Sequence, residues 1–188
     1  MRTASPPHRG GGLGRGSVES MRVIDISEGT TVDGPGLRTS IYFAGCTHHC
    51  MGCHNPQSWP ANAGKDMTED QLMDIIRYNA FNVTFTGGDP FFQAPAVAQL
   101  AQRIKAELGL NIWCYTGYRW EDIKDNLNYR PLLEHIDMLV DSPFVLDLRD
   151  TTLRFRGSSN QRIIDVPASL KENRMIDTTN QYKSIYET

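Results

Sequence analysis

The sequence has no long hydrophobic run. Uninterrupted apolar stretches such as IYFA at residues 41–44 are a few residues long, against the roughly 20 that a membrane-spanning helix needs. It also has no surplus of positive charge: 19 Lys and Arg against 22 Asp and Glu give a formal net charge of −3. That balance argues against a broad nucleic-acid footprint, which takes clustered basic surface to neutralise many phosphates. Residues 1–20, MRTASPPHRGGGLGRGSVES, lack the apolar core of a secretion signal, so they read as a disordered leader or foreign residues. The expected compartment is then the reducing cytoplasm, where clustered thiols more often hold a metal or react than pair. Cysteine is scarce, four in 188 residues, yet a chain of this length forms a real core without a staple.

Those few cysteines are not spread out. Cys46, Cys50 and Cys53 lie in GCTHHCMGCHN, with spacing C-x3-C-x2-C and two glycines, Gly45 and Gly52, that let the chain wrap tightly. Before them, MRVIDIS is a strand candidate, EGTTVDGPGLR a glycine-bearing loop, and residues 39–44 a strand that delivers the chain to Cys46. After them the pattern becomes periodic. TEDQLMDIIRYN predicts a helix with Thr68 as its cap, Gln71 three residues on, and Leu72, Ile75 and Ile76 on one face. APAVAQLAQRIKAELG predicts a second, with Pro95 in the first turn, a stripe of Val97, Leu100, Ala101, Ile104 and Leu108, and Gly109 at the exit. RWEDIKDNL reads as helical, and NVTFT, NIWCY, DMLVD and RIIDV read as strands.

Strands of this length alternating with helices predict right-handed βαβ units and a mostly parallel sheet. Several strands end in polar or glycine-bearing turns: GCTHHC, TGGDP, TGY and DSPF. Such turns are where α/β folds place their sites. About six strands are too few for an eight-stranded barrel, so the expected architecture is a partial barrel within residues 21–166, followed by a polar tail, 167–188. An open doubly wound sheet remains the alternative.

On spacing alone, two metal readings stay open. A structural zinc site closes with four Cys or His ligands, and His48, His49 or His54 is available as the fourth. Three thiolates on a 4Fe-4S cubane would instead leave one iron open for something that must bind there. Cys114 alternates away from Trp113 and Tyr115 in NIWCY and reads as a buried thiol. His48 and His49 read as loop residues that could tune a cluster or meet a partner. Asp33 and Arg38 read equally as a loop ion pair or as site groups, and Asp141 and Gln161, at late strand ends, are undecided between site and scaffold.

With these pieces in order, DGPGLRTSIYFAGCTHHCMGCHNPQSW, FTGGDPF, WCYTGY, VDSPF and RFRGSSNQRIIDV, the chain resembles the radical S-adenosylmethionine enzymes. Within them it is similar to the glycyl-radical-activating group that serves anaerobic ribonucleoside-triphosphate reductase. The resemblance implies an α/β fold, a partial (β/α)6-type barrel, and a 4Fe-4S cluster on Cys46, Cys50 and Cys53. It implies that S-adenosylmethionine is held by Thr86, Gly87, Gly88 and Asp89, with Gly52, Cys53 and His54 beside its adenosyl end. The broader family has Glu where Asp89 stands and an aromatic residue where His54 stands. It also implies reductive cleavage of the cofactor, hydrogen abstraction from a glycine of the reductase's large subunit, and flavodoxin or ferredoxin as electron donor. Phe91, Phe92, Pro143 and Phe144 are expected near a docking face, and Gly88 is expected to admit the methionine end of the cofactor through its missing side chain. A metabolite-directed enzyme of the same superfamily, such as a deazapurine synthase, and a zinc-stabilised binding module are the alternatives.

Overall fold

A computed structural model describes residues 20–182; apart from Ser20, the leader expected over 1–20 lies outside the described residues, as do positions 183–188. Seven strands form one sheet, β1 Ser20–Thr30, β2 Arg38–Phe43, β3 Lys65–Thr68, β4 Asn82–Gly87, β5 Ile112–Tyr115, β6 Met138–Asp141 and β7 Arg162–Asp165. Five α-helices accompany them: α1 Glu69–Asn79, α2 Ala94–Leu108, α3 Trp120–Ile123, α4 Arg130–Leu133 and α5 Val166–Glu172.

The strand order is β3-β1-β2-β4-β5-β6-β7. The centre, β2 through β4 and β5 to β6, is parallel, whereas β1 runs antiparallel to β2 and β3, and β7 antiparallel to β6. The architecture is therefore a partial, mixed α/β sheet, a correction to the mostly parallel sheet of a (β/α)6 barrel. Connection length explains the difference at β1, though not at β7, whose connection from β6 is long enough for a crossover. The seven residues between β1 and β2 are too few for a crossover, which takes a dozen or more, so the chain must return antiparallel.

The two long helices form where the local signals put them. Thr68 Oγ1 accepts from the Gln71 amide at 3.2 Å while Gln71 Oε1 accepts from the Thr68 amide at 2.9 Å, closing the capping box of α1. α2 ends where Gly109 turns left-handed at φ +62° and its amide returns to Ile104 and Lys105. RWEDIKDNL yields only the single turn of α3 before hydrogen-bonded turns take over.

Alternation along the strands separates two cores. Ile41, Phe43, Val83, Phe85, Ile112, Cys114, Leu139 and Ile164 pack with the helices. Trp113, Val140 and Ile163 face the other way, against Tyr115, Phe155 and Tyr182. At the foot of that second face Arg38 is fully buried. Its guanidinium donates to Thr84 Oγ1 at 2.7 Å and the Val83 carbonyl at 2.6 Å, and sits 5.6 Å from the Trp113 ring centre. Burial without a carboxylate in contact lowers its pKa to about 10. Arg38 thus ties strands together below the site. Beyond β7, Ile164 bridges Asp177, and Thr178 donates to the Ile163 carbonyl at 2.8 Å.

Candidate active site

β2 delivers the chain into a loop that closes on itself. The Gly45 amide donates to the Ser58 carbonyl at 2.7 Å and the Cys46 amide to the Trp59 carbonyl at 3.1 Å, so both ends of the cysteine loop are pinned together. Gly52, at φ +75°, supplies a left-handed turn just before Cys53. All three loop cysteines are half-buried free thiols. Burial pushes the Cys46 and Cys50 thiols up, opposed by backbone N–H groups of His48 and His49 at Cys46 and of Phe144 at Cys50. The Asn55 amide lies 3.4 Å from Cys53 Sγ. Burial outweighs those N–H groups, so as free thiols Cys46 and Cys50 favour the protonated form; hydrogen bonds and burial at the sulfurs are also what tunes iron–sulfur centres.

The turn after β4 is locked to this loop. Gly88 N–H donates to the Phe43 carbonyl and Asp89 N–H to the Gly45 carbonyl, both at 2.8 Å. A Cβ on Gly87 would stand 2.4 Å from the Phe43 nitrogen, and one on Gly88 2.4 Å from the Gly45 carbonyl oxygen. The missing Gly88 side chain thus makes room for the cysteine loop itself, which corrects the expectation that it makes room for a cofactor.

One pocket gathers Cys46, Cys50, Cys53, His54, Thr86, Gly87 and Gly88. Its far wall comes from the ends of β5 and β6, with Tyr115, Thr116, Gly117, Ser142 and Phe144, and from Gln161. Two residues expected at the site stand apart from it. Gly52 lines a neighbouring cavity with Phe144, Arg149 and Arg156. Asp89, 2% exposed, lies beneath the turn with its carboxylate inward. Its Oδ1 accepts from the Phe91 amide at 2.9 Å, and its Oδ2 from Thr116 Oγ1 at 2.8 Å and the Gly117 amide at 3.0 Å, with His48 Nε2 2.9 Å away.

Cys114 is fully buried, and burial raises its thiol well above the ordinary value. Asp141 is buried and accepts from the Trp120 amide and Arg162, so it fixes α3 and β7. Gln161 lines the pocket while its Oε1 holds the Gly157 amide at 2.8 Å. Asp33 accepts from the Tyr42 hydroxyl at 2.8 Å rather than pairing with Arg38. His49 tilts against Trp59, ring centres 4.9 Å apart. Phe91 belongs to the core, whereas Phe92 is 45% exposed and Phe144 faces the pocket. Trp59 and Phe144 line the site; Trp59 closes the cysteine-bearing stretch and Phe144 ends VDSPF, but only Phe144 carries an expected part, near a docking face.

Among the described residues no three His, Cys, Asp or Glu converge on a single-ion site. A tetrahedral zinc needs every donor about 2.3 Å or less from one centre, whereas cubane ligands each hold a different iron and stand apart. Three cysteines of one loop opening to a pocket fit a 4Fe-4S cluster with one iron left free.

Residues 32–164 match the family described as 4Fe-4S single cluster domain, and with the cysteine loop this sets the class: an iron–sulfur oxidoreductase of the radical S-adenosylmethionine type. The anaerobic ribonucleoside-triphosphate reductase-activating protein of Escherichia coli (strain K12) is 39% identical over 139 residues, 69% of this chain and 89% of that protein. The protein of the same name from Vibrio cholerae is 38% identical over 141 residues, covering 70% and 90%, and that of Enterobacteria phage T4 32% over 139 residues, covering 70% and 86%. The chain belongs to this family of radical S-adenosylmethionine activating enzymes. A crystal structure of QueE from Escherichia coli overlaps 52% of each chain with a TM-score of 0.42 and 15% identity. No helix among the described residues is long and apolar enough to cross a membrane.

Proposed function

We propose that this protein generates the glycyl radical of an anaerobic ribonucleoside-triphosphate reductase, using a 4Fe-4S cluster held by Cys46, Cys50 and Cys53 and S-adenosylmethionine bound in the adjoining pocket. The observation that carries the reading is the joining of the three loop cysteines and the Thr86–Gly88 turn in one pocket of a chain that belongs to the activating family. When bound and reduced, the cluster supplies the electron that cleaves S-adenosylmethionine to methionine and a 5'-deoxyadenosyl radical.

The chain's own part is binding, orientation and exclusion of competing reactions. Thr86, Gly87 and Gly88 offer hydroxyl and main-chain groups to the methionine end, and Cys53 and His54 flank the adenosyl end. Asp89 supports this turn from below instead of meeting the cofactor. Beyond His54, Phe144 and Gln161 the pocket continues into a cavity lined by Val32, Asp33, Tyr115, Phe155 and Arg156. A glycine-bearing segment of the partner fits there better than a free metabolite, because the open mouth needs a second surface to exclude water. The electron comes from a soluble flavodoxin or ferredoxin, and the setting is the reducing cytoplasm. Residues 21–166 carry the chemistry, with the following segment packed behind β7.

The test is anaerobic incubation of reconstituted protein with S-adenosylmethionine, a strong reductant and the reductase. A glycyl doublet in the electron paramagnetic resonance spectrum of the reductase is expected. Cofactor cleavage without that doublet would move the metabolite-directed reading ahead.

A further inference from the structure

The loop residues between the cysteines make little contact with the fold beneath them. Among the described residues, His48 is the one of positions 47–49, 51 and 52 whose side chain hydrogen-bonds outside the loop, through Nε2 to Asp89 Oδ2 at 2.9 Å. The His48 side chain is 17% exposed and that of Asp89 2%. The ring also meets Tyr118 edge-on at 4.5 Å between centres. It lies across Gly117, where any Cβ would come within 2.4 Å of His48 Cδ2. The glycine of TGY is therefore the floor on which this imidazole rests. Asp89 is in turn fixed by Phe91, Thr116 and Gly117. Nε2 and Oδ2 lie within hydrogen-bond distance, with the sharing of the hydrogen set by the tautomer of the ring.

We propose that His48 is a positioning residue, which clamps the loop carrying Cys46 and Cys50 onto the turns after β4 and β5 and so holds cluster and cofactor pocket in one register. The inference rests on the functional reading above. It gives Asp89 a different part from cofactor contact: the buried anchor of the clamp. A hydrogen bond of this kind, sheltered from water, has the strength to set a loop's position. His48 also lines the pocket, but its Nε2 is engaged with Asp89 and its ring rests on Gly117, and the positioning role acts through those two partners.

The experiment compares reconstituted wild type with His48→Ala, His48→Gln and His48→Asn. It reads iron and sulfide per chain, melting temperature, and the S-adenosylmethionine concentration that half-saturates the cofactor-induced change in the reduced cluster's electron paramagnetic resonance spectrum. Loss of the clamp in His48→Ala is expected to raise that concentration about tenfold or more. Glutamine, whose amide reaches as far as Nε2, should restore nearly wild-type binding. Asparagine, too short to reach Asp89, should not, and this pair decides the matter even if the alanine protein fails to fold. Wild-type half-saturation in His48→Ala or His48→Asn, or a glutamine protein as impaired as the asparagine one, would overturn the clamp. A wild-type protein that loads its cluster but shows no response to S-adenosylmethionine would instead overturn the functional reading itself.

Discussion

At the scale of single residues, the four cysteines divide by environment. Cys46, Cys50 and Cys53 share a pocket rim, while Cys114 is sealed in the helix-side core. Replacing any of the three by alanine should abolish cluster assembly and cofactor cleavage, and Cys114→Ala should leave both nearly intact; iron, sulfide and 5'-deoxyadenosine assays would show it. Gly88 behaves differently from what its motif alone suggests. Its Cα faces the Gly45 and Ser58 carbonyls, so Gly88→Val should dislodge the cysteine loop and lower iron content together with cofactor affinity. A Gly88→Val protein with a full cluster and weakened cofactor binding alone would mean that the side chain enters the pocket after all. The cysteine spacing was legible in the sequence because all three residues lie within eight positions. The inward turn of Asp89 was not, because its partners His48 and Thr116 lie 41 and 27 positions away.

At the scale of elements, α1 and α2 were legible because caps and 3.6-residue periodicity are local properties. β3 was not: KDMT carries no alternating pattern, and it is a strand through its pairing with β1. The antiparallel β7 edge was hidden for the same reason, since its connection from β6 is long enough for either direction, whereas the short connection from β1 to β2 already implied an antiparallel return. α2 is the element on which the sheet leans. Leu100 is fully buried in the core it shares with Phe85, and Leu100→Ala should cost about 2–5 kcal/mol by lost burial and the cavity left behind. Thr68→Ala removes half of the capping box of α1 and should cost about 1 kcal/mol. Chemical denaturation of the two variants would check both values, and a Thr68→Ala loss as large as that of Leu100→Ala would show that the cap supports more than its helix.

At the scale of the whole molecule, the loops on either side of the pocket-lining residues Cys50, Cys53 and Phe144 carry exposed apolar side chains, Met51 at 79%, Leu146 at 41% and Leu148 at 43% exposure, and Val32, at 69%, lines the cavity beyond. If the reductase covers this mouth, Leu148→Asp should raise the reductase concentration needed for half-maximal radical formation several-fold. Cofactor cleavage measured without partner should be unchanged, and an equal loss in both assays would place Leu148 in the fold instead. The account as a whole rests on a hydrogen atom passing from a glycine of the partner to the cofactor fragment. The direct measurement uses reductase grown with deuterated glycine and mass spectrometry of the 5'-deoxyadenosine released. The account predicts deuterium in that product, in step with the glycyl doublet, whereas unlabelled 5'-deoxyadenosine formed alongside labelled reductase would contradict it.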